Sequence, residues 1–422
     1  MERDQQTIGI DAITYSIPKA YVALPDLAAA RGIPAAKYTS GLGTLEMAVA
    51  SPEEDPVTLA VNAARRLFQL SGRAPAEIGL CIVGTETAVD HSKPIAAFVH
   101  GQLGLSTGCR SYETKHACFG GTAGLLAAVD WIAAGQAHGL KSAQRKPRVA
   151  LVICSDIARY PLGSAGEPTQ GGGAVAFLVS ERPRLIELEV ARSGSYTRDV
   201  HDFWRPLDRK DALTDGHFSV QCYLDALEGA YRDWQQANGS EEPLARTCYH
   251  VPYGKMSRKA HRHRKMLDGL SEQAADESFA VEVEPSLRLP SQVGNIYTGS
   301  LYLALASLLH HEAAELAGQR IGLFSYGSGC TAEFFAGRVH PEAAAVVQAL
   351  RLDEPLAQRT RLSIAEYEAL RHSDASADRR PAPEGSLATG IAENPRSPHA
   401  GTEGHAVFLG VDRGERRVYH VA

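Results

Sequence analysis

Short apolar runs alternate along the chain with longer stretches rich in alanine, leucine and other small or apolar residues. Five apolar runs predict buried strands, at residues 78–87, 148–157, 173–179, 247–253 and 320–329. Three stretches predict helices, at residues 55–72, 117–135 and 298–318. The second and third of these helices are apolar almost all round, which is typical of helices buried at the centre of a protein. Strands that alternate with helices indicate the α/β class.

The order strand, helix, strand occurs twice. The first copy comprises residues 78–87, 117–135 and 148–157, and the second comprises residues 247–253, 298–318 and 320–329. A recurring order at similar spacing predicts two related halves that pack about a pseudo-twofold axis. The N-termini of the two apolar helices would then open into one pocket. We assign residues 1–180 to the first half, 181–245 to a connecting and pocket-shaping segment, and 246–422 to the second half.

The last part of the chain predicts a loop followed by a hairpin. Residues 373–404 are rich in Pro, Gly, Ser and Ala, which is typical of a long surface loop. Two short apolar segments, 405–412 and 416–422, follow this loop and predict a closing β-hairpin.

Composition and charge exclude several classes of protein. Apolar residues make up 44% of the 422 residues and charged residues 22%, as in globular proteins with a sizeable core. The formal net charge of −6 argues against a nucleic-acid-binding protein, which would usually be basic. No apolar run approaches the roughly 18 residues of a membrane span, and the first residues, MERDQQ, lack a signal-peptide pattern. We therefore expect no membrane partner and a cytoplasmic protein.

The seven cysteines are scattered and none belongs to a C-x-x-C pair, which excludes an obvious zinc ribbon and fits reduced thiols. One of them, Cys118, lies in ETKHACFGGTAGL (113–125), before the first apolar helix. A thiol at a helix N-terminus faces unpaired N–H groups and the positive end of the helix dipole, which favour the thiolate. Gly120 and Gly121 would leave room beside the sulfur for a flat acyl group. A lone cysteine is more often a buried structural residue; we apply that interpretation to the other six and predict that Cys118 is a nucleophile.

Three further residues are candidates for the same site. Glu86 directly follows a predicted buried strand, where desolvation would raise the pKa of its carboxyl toward neutrality. His250 ends another predicted strand, and Asn295 lies in a glycine-flanked turn before a helix. Cys, His and Asn together can activate a thioester. Each residue also has a structural alternative: a solvated loop glutamate, a core or surface histidine, and an asparagine that serves turn geometry.

Nine segments, in order, resemble the signature segments of hydroxymethylglutaryl-CoA synthases. They are KYTSGLG (37–43), GTETAVDHSK (84–93), ETKHACFGGTAGL (113–125), SDIARYPLGSAGEPTQGGGAVAFLV (155–179), HDFWRP (201–206), SVQCYLDAL (219–227), YHVPYGK (249–255), VGNIYTGSLY (293–302) and LFSYGSG (323–329). The resemblance implies a thiolase fold, in which five αβαβα layers arise from a duplication within one chain. It also implies a homodimer.

The resemblance implies a role for each candidate. Cys118 would be the nucleophile that takes the acyl group. Glu86 would be the general base that removes an α-proton from the acetylated cysteine, and then the acid that protonates the new alkoxide. His250 would polarise the keto group of the acceptor, and Asn295 would lie beside that acceptor. No metal and no cofactor is implied, because the substrates are thioesters on a phosphopantetheine arm.

Further residues would complete the pocket by the same resemblance. The backbone N–H groups of Cys118 and of Ser328, which follows Gly327, would form the oxyanion hole. The residues that would shape the pocket are Asp156, Tyr160, Thr169, Asp202 and Phe203.

A basic segment, SRKAHRHRK (257–265), follows the His250 segment in a chain that is acidic overall. A basic rim beside the pocket would attract acidic acyl carrier proteins or the phosphates of CoA. The residues predicted to do so are Lys255, Arg258, Lys259 and Arg262. A solvated helix face is the structural alternative.

The family has two branches with the same chemistry. One makes hydroxymethylglutaryl-CoA from acetyl-CoA and acetoacetyl-CoA for the mevalonate pathway. The other transfers acetyl from a donor acyl carrier protein to a β-ketoacyl chain on a polyketide synthase, giving a β-branch. The Cys118 segment looks more like the polyketide branch, so we predict a β-branching synthase, with the mevalonate enzyme as the alternative. An initiating ketoacyl synthase, which needs no carboxylate base, and a non-catalytic scaffold are the remaining alternatives.

Overall fold

The computed structural model describes residues 7–137, 148–209, 211–239, 242–377, 381–382, 404–412 and 415–421. Its strands are β1 Gly9–Ser16, β2 Ala20–Ala23, β3 Glu46–Val49, β4 Ile78–Gly84, β5 Arg110–Thr114, β6 Val149–Ala158, β7 Gly171–Ser180, β8 Ile186–Leu188, β9 Gly194–Thr197, β10 Phe203–Trp204, β11 Leu213–Thr214, β12 Arg246–Tyr249, β13 Arg320–Gly327, β14 Thr331–Val339, β15 Thr360–Arg361, β16 Ala406–Val411 and β17 Arg417–Val421.

The helices are α1 Leu24–Ala30, α2 Ala35–Leu42, α3 Pro56–Ser71, α4 Ile95–Gln102, α5 Gly120–Ala137, α6 Gly216–Asn238, α7 Gly254–Leu267, α8 Glu272–Glu282, α9 Pro290–Val293, α10 Ser300–Glu312, α11 Ala343–Leu350, α12 Glu354–Ala357 and α13 Ile364–Ala377. The five strands and three helices predicted from the apolar pattern are all present, with ends shifted by a few residues. The α/β class is therefore confirmed.

A ten-stranded sheet runs through the molecule in the order β12-β13-β14-β8-β1-β7-β6-β4-β5, with β9 also paired to β14. At one end β4 is parallel to β6, β6 is antiparallel to β7, and β7 is antiparallel to β1. At the other end β12 is parallel to β13, β13 is antiparallel to β14, and β14 is antiparallel to β8. The same pattern occurs twice, so the predicted repeat is confirmed. The division into segments 1–180, 181–245 and 246–422 stays a prediction, because pairing through β8 joins the two ends into one sheet.

Two apolar helices occupy equivalent places in the repeats, and they meet at the centre. Helix α5 lies between β4 and β6 in the chain, and α10 lies between β12 and β13. A Cβ atom on Gly121 would come within 2.8 Å of the Thr298 carbonyl oxygen. At the next residue of α5, the Thr122 hydroxyl is 2.8 Å from the Tyr302 hydroxyl and 2.7 Å from that of Ser325. The two helix N-termini therefore lie side by side, as the repeat predicts.

The stretch Ala117–Gln136, which comprises the Cys118 turn and most of α5, is long and apolar enough to span a membrane, judged by length and composition alone. The expectation that no segment of the chain reaches that length is wrong. The helix packs against β4 and β6, so its apolar surface is explained by its central place in the fold.

The C-terminal hairpin is confirmed: β16 and β17 pair in antiparallel fashion. The hairpin is held on α3 through Asp55, whose side chain caps α3 and accepts hydrogen bonds from Arg417 at 2.7 Å and Tyr419 at 2.8 Å. The predicted loop 373–404 is wrong at its start, because α13 continues to Ala377. Most of the rest of that loop lies outside the described residues.

We expect Gly121→Ala to destabilise the protein by about 1–3 kcal/mol, the usual cost of overpacking a tight core. The new methyl group would overlap the Cys154 sulfur and press on the Thr298 carbonyl, which cannot move away cheaply. Gly101→Ala is the matched control, since Gly101 is also helical and a Cβ there meets nothing within 4 Å. Equilibrium denaturation should show the control unchanged or slightly stabilised. Equal effects of the two substitutions would contradict the close packing of the central helices.

Candidate active site

Cys118 lies in a tight turn between β5 and α5. Ala117, just before it, has a φ of 42°, in the left-handed region that residues with a side chain rarely adopt. The Phe119 N–H donates to the His116 carbonyl at 3.0 Å, and the Phe119 carbonyl accepts the first α5 hydrogen bond, from Ala123, at 3.0 Å. The turn therefore places the thiol at the N-terminal end of α5, as predicted.

The two glycines after Cys118 do not open space beside its sulfur. A Cβ on Gly120 would lie 2.9 Å from the Thr114 carbonyl oxygen and 3.3 Å from the Thr298 methyl group. A Cβ on Gly84, at the end of β4, would lie 2.5 Å from the Gly121 nitrogen. The expectation of room for an acyl group there is wrong: glycine is needed so that α5 can approach β4 and the Thr298 segment closely.

Glu86 lies directly against the nucleophile. The Cys118 thiol donates to the Glu86 Oε1 at 3.2 Å. Glu86 follows the carboxyl end of β4, two residues after Gly84, so the sheet sets where its loop begins. The structure thus brings together two side chains that lie far apart in sequence.

The pKa of Glu86 agrees with the expectation, and the pKa of Cys118 does not. Burial, and then the nearby Asp156 carboxylate, raise the pKa of Glu86 to about 7, as its place after a buried strand predicts. Burial also raises the pKa of the Cys118 thiol well above its usual range, and the charges of Glu86, Asp156 and Asp202 raise it further. The predicted thiolate is therefore wrong. The thiol stays protonated at neutral pH, because its burial and the nearby carboxylates outweigh the helix N-terminus, and it needs a base.

Asp156 holds the loop of Glu86 in place. Its carboxyl is fully buried at the end of β6. Oδ1 accepts hydrogen bonds from the Thr85 hydroxyl and the Glu86 N–H, each at 2.9 Å, and from the Thr87 hydroxyl at 2.8 Å. Oδ2 accepts from the Thr298 N–H at 3.1 Å and from the Thr298 hydroxyl. Asp156 thereby ties the general-base candidate to the start of the second central helix.

His250 follows β12 and is buried. The backbone N–H of His250 donates to the Phe324 carbonyl at 2.8 Å, and the backbone carbonyl of His250 accepts from the Tyr223 hydroxyl at 2.7 Å. The Tyr223 ring stacks on the imidazole, with centroids 6.3 Å apart, and Tyr223 is also within electrostatic range of Cys118. Burial lowers the pKa of His250 to about 3, so the imidazole is neutral at pH 7. In the described residues neither ring nitrogen has a hydrogen-bond partner, which leaves both for a substrate.

Asn295 lies buried in the turn before α10. Its Oδ1 accepts from the Tyr297 N–H and the Ser300 hydroxyl, each at 2.9 Å, so the carbonyl end of the amide shapes the turn. The Asn295 N–H donates to the Thr169 carbonyl at 3.1 Å. Within the described part of the chain its Nδ2 group donates no hydrogen bond, and it is available to a ligand. Thr169 contributes backbone here, while its hydroxyl donates to Gly166 at 2.8 Å.

The Gly327–Ser328 turn, which connects β13 to β14, packs on the Cys118 turn. A Cβ on Gly327 would overlap the His116 carbonyl and lie 2.7 Å from the Phe119 nitrogen. Asp202 braces the turn: Oδ1 accepts from the Gly329 N–H at 3.0 Å, and Oδ2 accepts from the Tyr326 hydroxyl at 2.6 Å. Ser328 therefore lies beside the nucleophile, where a backbone N–H could face an oxyanion.

A short hairpin, β10 and β11, covers this region and is called the roof hairpin below. The Phe203 ring lies 6.5 Å from the Tyr160 ring and 5.8 Å from the Tyr297 ring. The Tyr160 backbone is held from outside: its N–H donates to Gln170 at 2.8 Å, and its carbonyl accepts from Arg371 of α13 at 3.0 Å. Tyr160 and Phe203, both predicted, thus form an aromatic wall.

Three residues near this site were not singled out from the sequence: Arg205, Tyr223 and Tyr297. Arg205 stands in HDFWRP, where a lone basic residue among aromatic ones could have drawn attention. Tyr297 has a φ of 46° within the Asn295 turn, a strain that the sequence does not show. Tyr223 reaches His250 only because α6 packs against β14, so no local pattern could have identified it.

The predicted basic residues share the exposed face of α7. Arg262 is paired with Glu272 and, at 2.5 Å, with Asp276 of α8, and Arg258 lies 3.8 Å from Asp276. Lys255 and Lys259 form no ion pair with any described residue. The uncompensated positive charge of this face is therefore at the two lysines.

The described residues contain no group of three or more His, Cys, Asp or Glu side chains arranged to hold a metal ion.

We expect Glu86→Gln to increase the rate of Cys118 alkylation by iodoacetamide at about pH 8.5 roughly tenfold, which corresponds to one pKa unit. The carboxylate and its hydrogen bond raise the pKa of the thiol, so a neutral amide should lower it. Glu113→Gln is the control, because Glu113 is a partly buried carboxylate that binds the Ile95 N–H instead. Intact-protein mass spectrometry gives the rates. A slower reaction in Glu86→Gln would show that the carboxylate promotes ionisation instead.

Comparison with known proteins places this geometry in a family. The family model described as hydroxymethylglutaryl-coenzyme A synthase N terminal matches residues 4–183, and the C-terminal model matches residues 186–272 and 257–380. Two curated relatives each align with 86% of the chain. The hydroxymethylglutaryl-CoA synthase of Enterococcus faecalis is 39% identical, with 91% of its length covered. The polyketide biosynthesis 3-hydroxy-3-methylglutaryl-ACP synthase PksG of Bacillus subtilis is 34% identical, with 87% covered.

A solved structure of MvaS in complex with 3-hydroxy-3-methylglutaryl coenzyme A superposes with a TM-score of 0.87 at 46% identity, covering 99% of both chains. This match confirms the thiolase fold. The matches together span nearly the whole chain and include enzymes of both branches. The chain therefore belongs to the hydroxymethylglutaryl-CoA synthase family of condensing acyltransferases.

Proposed function

We propose that the protein condenses an acetyl group, held as a thioester on Cys118, with the keto carbon of a β-ketoacyl thioester. In the first step the Cys118 sulfur attacks the acetyl thioester while Glu86 moves the thiol proton to the departing thiolate. Glu86 then removes an α-proton from acetyl-Cys118, and the resulting carbanion forms a bond to the keto carbon. The protonated Glu86 gives its proton to the new alkoxide. Water finally cleaves the thioester bond to Cys118, which leaves a carboxylate on the product and restores the free Cys118 thiol.

The observation that carries this proposal is the hydrogen bond between Cys118 and Glu86. A carboxyl with a pKa of about 7 is half ionised at neutral pH, so it can act as a base in one step and as an acid in the next. A thiol with a raised pKa needs such a base. Glu86 can therefore take a proton first from the Cys118 thiol and later from the acetyl group on that sulfur. The covalent bond to Cys118 keeps the acetyl group beside Glu86.

His250 and Asn295 supply the acceptor side of the site. A neutral imidazole can donate a hydrogen bond to the keto oxygen of the acceptor without carrying a charge into a buried site. The free Nδ2 group of Asn295 adds a second donor. The backbone N–H groups of Cys118 and Ser328 are the oxyanion-hole donors for the acyl carbonyl in this proposal.

We favour CoA as the carrier of both acyl groups, which is the mevalonate-type reaction. Identity to the MvaS structure is 46%, against 29% for the PksG structure, and the Enterococcus faecalis sequence is 39% identical, against 34% for the PksG sequence. Lys255 and Lys259 are suited to the phosphates of CoA, since other basic residues of the same face are already neutralised.

The second candidate is the β-branching reaction predicted from the sequence, with acyl carrier proteins as partners. It is favoured by the same two lysines, because an acidic carrier protein would complement them, and by the amino-acid sequence of the Cys118 segment.

As expected from the resemblance, we also propose a homodimer. A cytoplasmic location fits seven cysteines that are all free.

Cys118 should gain the mass of one acetyl group when the protein is mixed with acetyl-CoA, and Cys118→Ser should not. Glu86→Gln should abolish condensation with acetoacetyl-CoA while the fold stays intact by circular dichroism. No mass gain from acetyl-CoA, together with a gain from acetylated carrier protein, would transfer the assignment to the β-branching reaction. Near-normal condensation by Glu86→Gln would remove the proposed mechanism altogether.

The double variant Lys255→Ala, Lys259→Ala should reduce kcat/KM for acetyl-CoA about tenfold, since two charge-assisted phosphate contacts are lost. Turnover with acetylpantetheine, which lacks the CoA phosphates at the far end, should be unchanged. Arg338→Ala is a matched control, because Arg338 lies near the end of β14 opposite the Ser328 turn and is paired with Glu242. Equal losses with both substrates would mean that the lysines stabilise α7 and do not bind phosphate.

A further inference from the structure

Arg205 connects the roof hairpin to the general base. Its Nη2 group donates a hydrogen bond to the Glu86 carbonyl and lies 3.6 Å from the Glu86 Oε2. The guanidinium also lies 6.0 Å from the centroid of the Tyr297 ring. Both partners are largely shielded from water, with 16% of the Arg205 side chain and 7% of the Glu86 side chain exposed. An ion pair in such a place is screened much less than one on the surface.

The roof hairpin is anchored independently of Arg205. At its base, the Asp202 carbonyl accepts hydrogen bonds from Asp215 and Thr214, each at 3.2 Å. Its Phe203 ring packs against Tyr160 and Tyr297. The guanidinium therefore reaches Glu86 from a support that stays in place when Arg205 is changed.

Several groups face Glu86, and they act on its charged form in opposite directions. Asp156 lies below it and Cys118 beside it, and Tyr160 and Tyr297 lie close enough to feel its charge. Burial and the Asp156 carboxylate raise the pKa of Glu86, whereas the positive charge of Arg205 and the hydrogen bond from the Cys118 thiol lower it. Without this cation, a carboxyl in that surrounding would be mostly protonated at neutral pH.

We propose that Arg205 is a positioning residue for Glu86, which holds the carboxyl beside the Cys118 sulfur and keeps enough of it ionised to act as a base. The inference rests on the proposed function in so far as Glu86 is the base there. The guanidinium does two separable things: it donates to the Glu86 backbone carbonyl, and it supplies charge to the carboxyl. A neutral side chain could reproduce the first but not the second.

Arg205→Gln and Arg205→Lys separate these contributions, because glutamine keeps a donor without charge and lysine keeps the charge. The ionisation of Glu86 is followed by infrared difference spectroscopy, as the protonated-carboxyl band that is absent in Glu86→Gln. In Arg205→Gln we expect the midpoint of this titration to move upward by about one pH unit, the lower end of the effect of an adjacent arginine. In Arg205→Lys, which keeps the charge, the midpoint should return most of the way to the wild-type value. Arg209→Gln, a change of the same charge at an exposed site on the same hairpin loop, should leave the midpoint unchanged.

The acid limb of the pH profile of Cys118 acetylation should move upward with the infrared midpoint in Arg205→Gln. A midpoint equal to that of the wild type, or a lysine variant that behaves like the glutamine variant, would overturn the role of charge. If Arg205→Gln does not fold, Arg205→Met, which keeps the apolar stem, must give the same upward movement. The infrared titration uses no acyl donor, so failure here is distinct from failure of acetylation by acetyl-CoA.

Discussion

The buried carboxylate of Asp156 is the constraint on which the site depends. A charge out of water is costly unless hydrogen bonds replace its solvation, and Asp156 receives donors from the loop after β4 and from Thr298 at the start of the second central helix. Because these donors come from both repeats, the carboxylate links the halves at the point where the pocket forms. Its negative charge also keeps the neighbouring Glu86 from ionising too easily.

The chemistry follows from a surplus of carboxyl groups around one sulfur. Burial raises the pKa of Cys118, and Glu86, Asp156 and Asp202 raise it further, so the resting enzyme holds a thiol and not a thiolate. Such a thiol is inert toward oxidants and stray electrophiles until a base acts on it, since the thiolate is the reactive form. The same environment raises the pKa of Glu86 into the range where proton transfer in both directions is easy. The same buried, carboxyl-rich environment thus keeps the Cys118 thiol unreactive at rest and makes Glu86 an effective base.

The sequence predicts those parts of the molecule that are set by local pattern. Apolar periodicity locates the strands, and polar residues at strand ends mark the site: Glu86 lies against Cys118, and His250 stacks on Tyr223, which is within electrostatic range of Cys118. The reason for Gly120 and Gly121 could not be predicted, because it lies in the approach of α5 to segments distant in sequence. The protonation state of Cys118 could not be predicted either, since it depends on carboxylates brought in from three other segments. Arg205 acts across such a tertiary contact as well.

A helix outside the pocket, α13, helps to position one of the pocket residues. Arg371, on helix α13, donates to the Tyr160 carbonyl at 3.0 Å and to the Gln170 side chain at 2.8 Å. Gln170 in turn accepts from the Tyr160 N–H at 2.8 Å, so both backbone polar groups of one pocket-forming residue are held from the outside. Substitutions on a helix that never meets the substrate can therefore shift the aromatic wall, and the length of acyl chain that fits could diverge among related enzymes while every reacting group is retained.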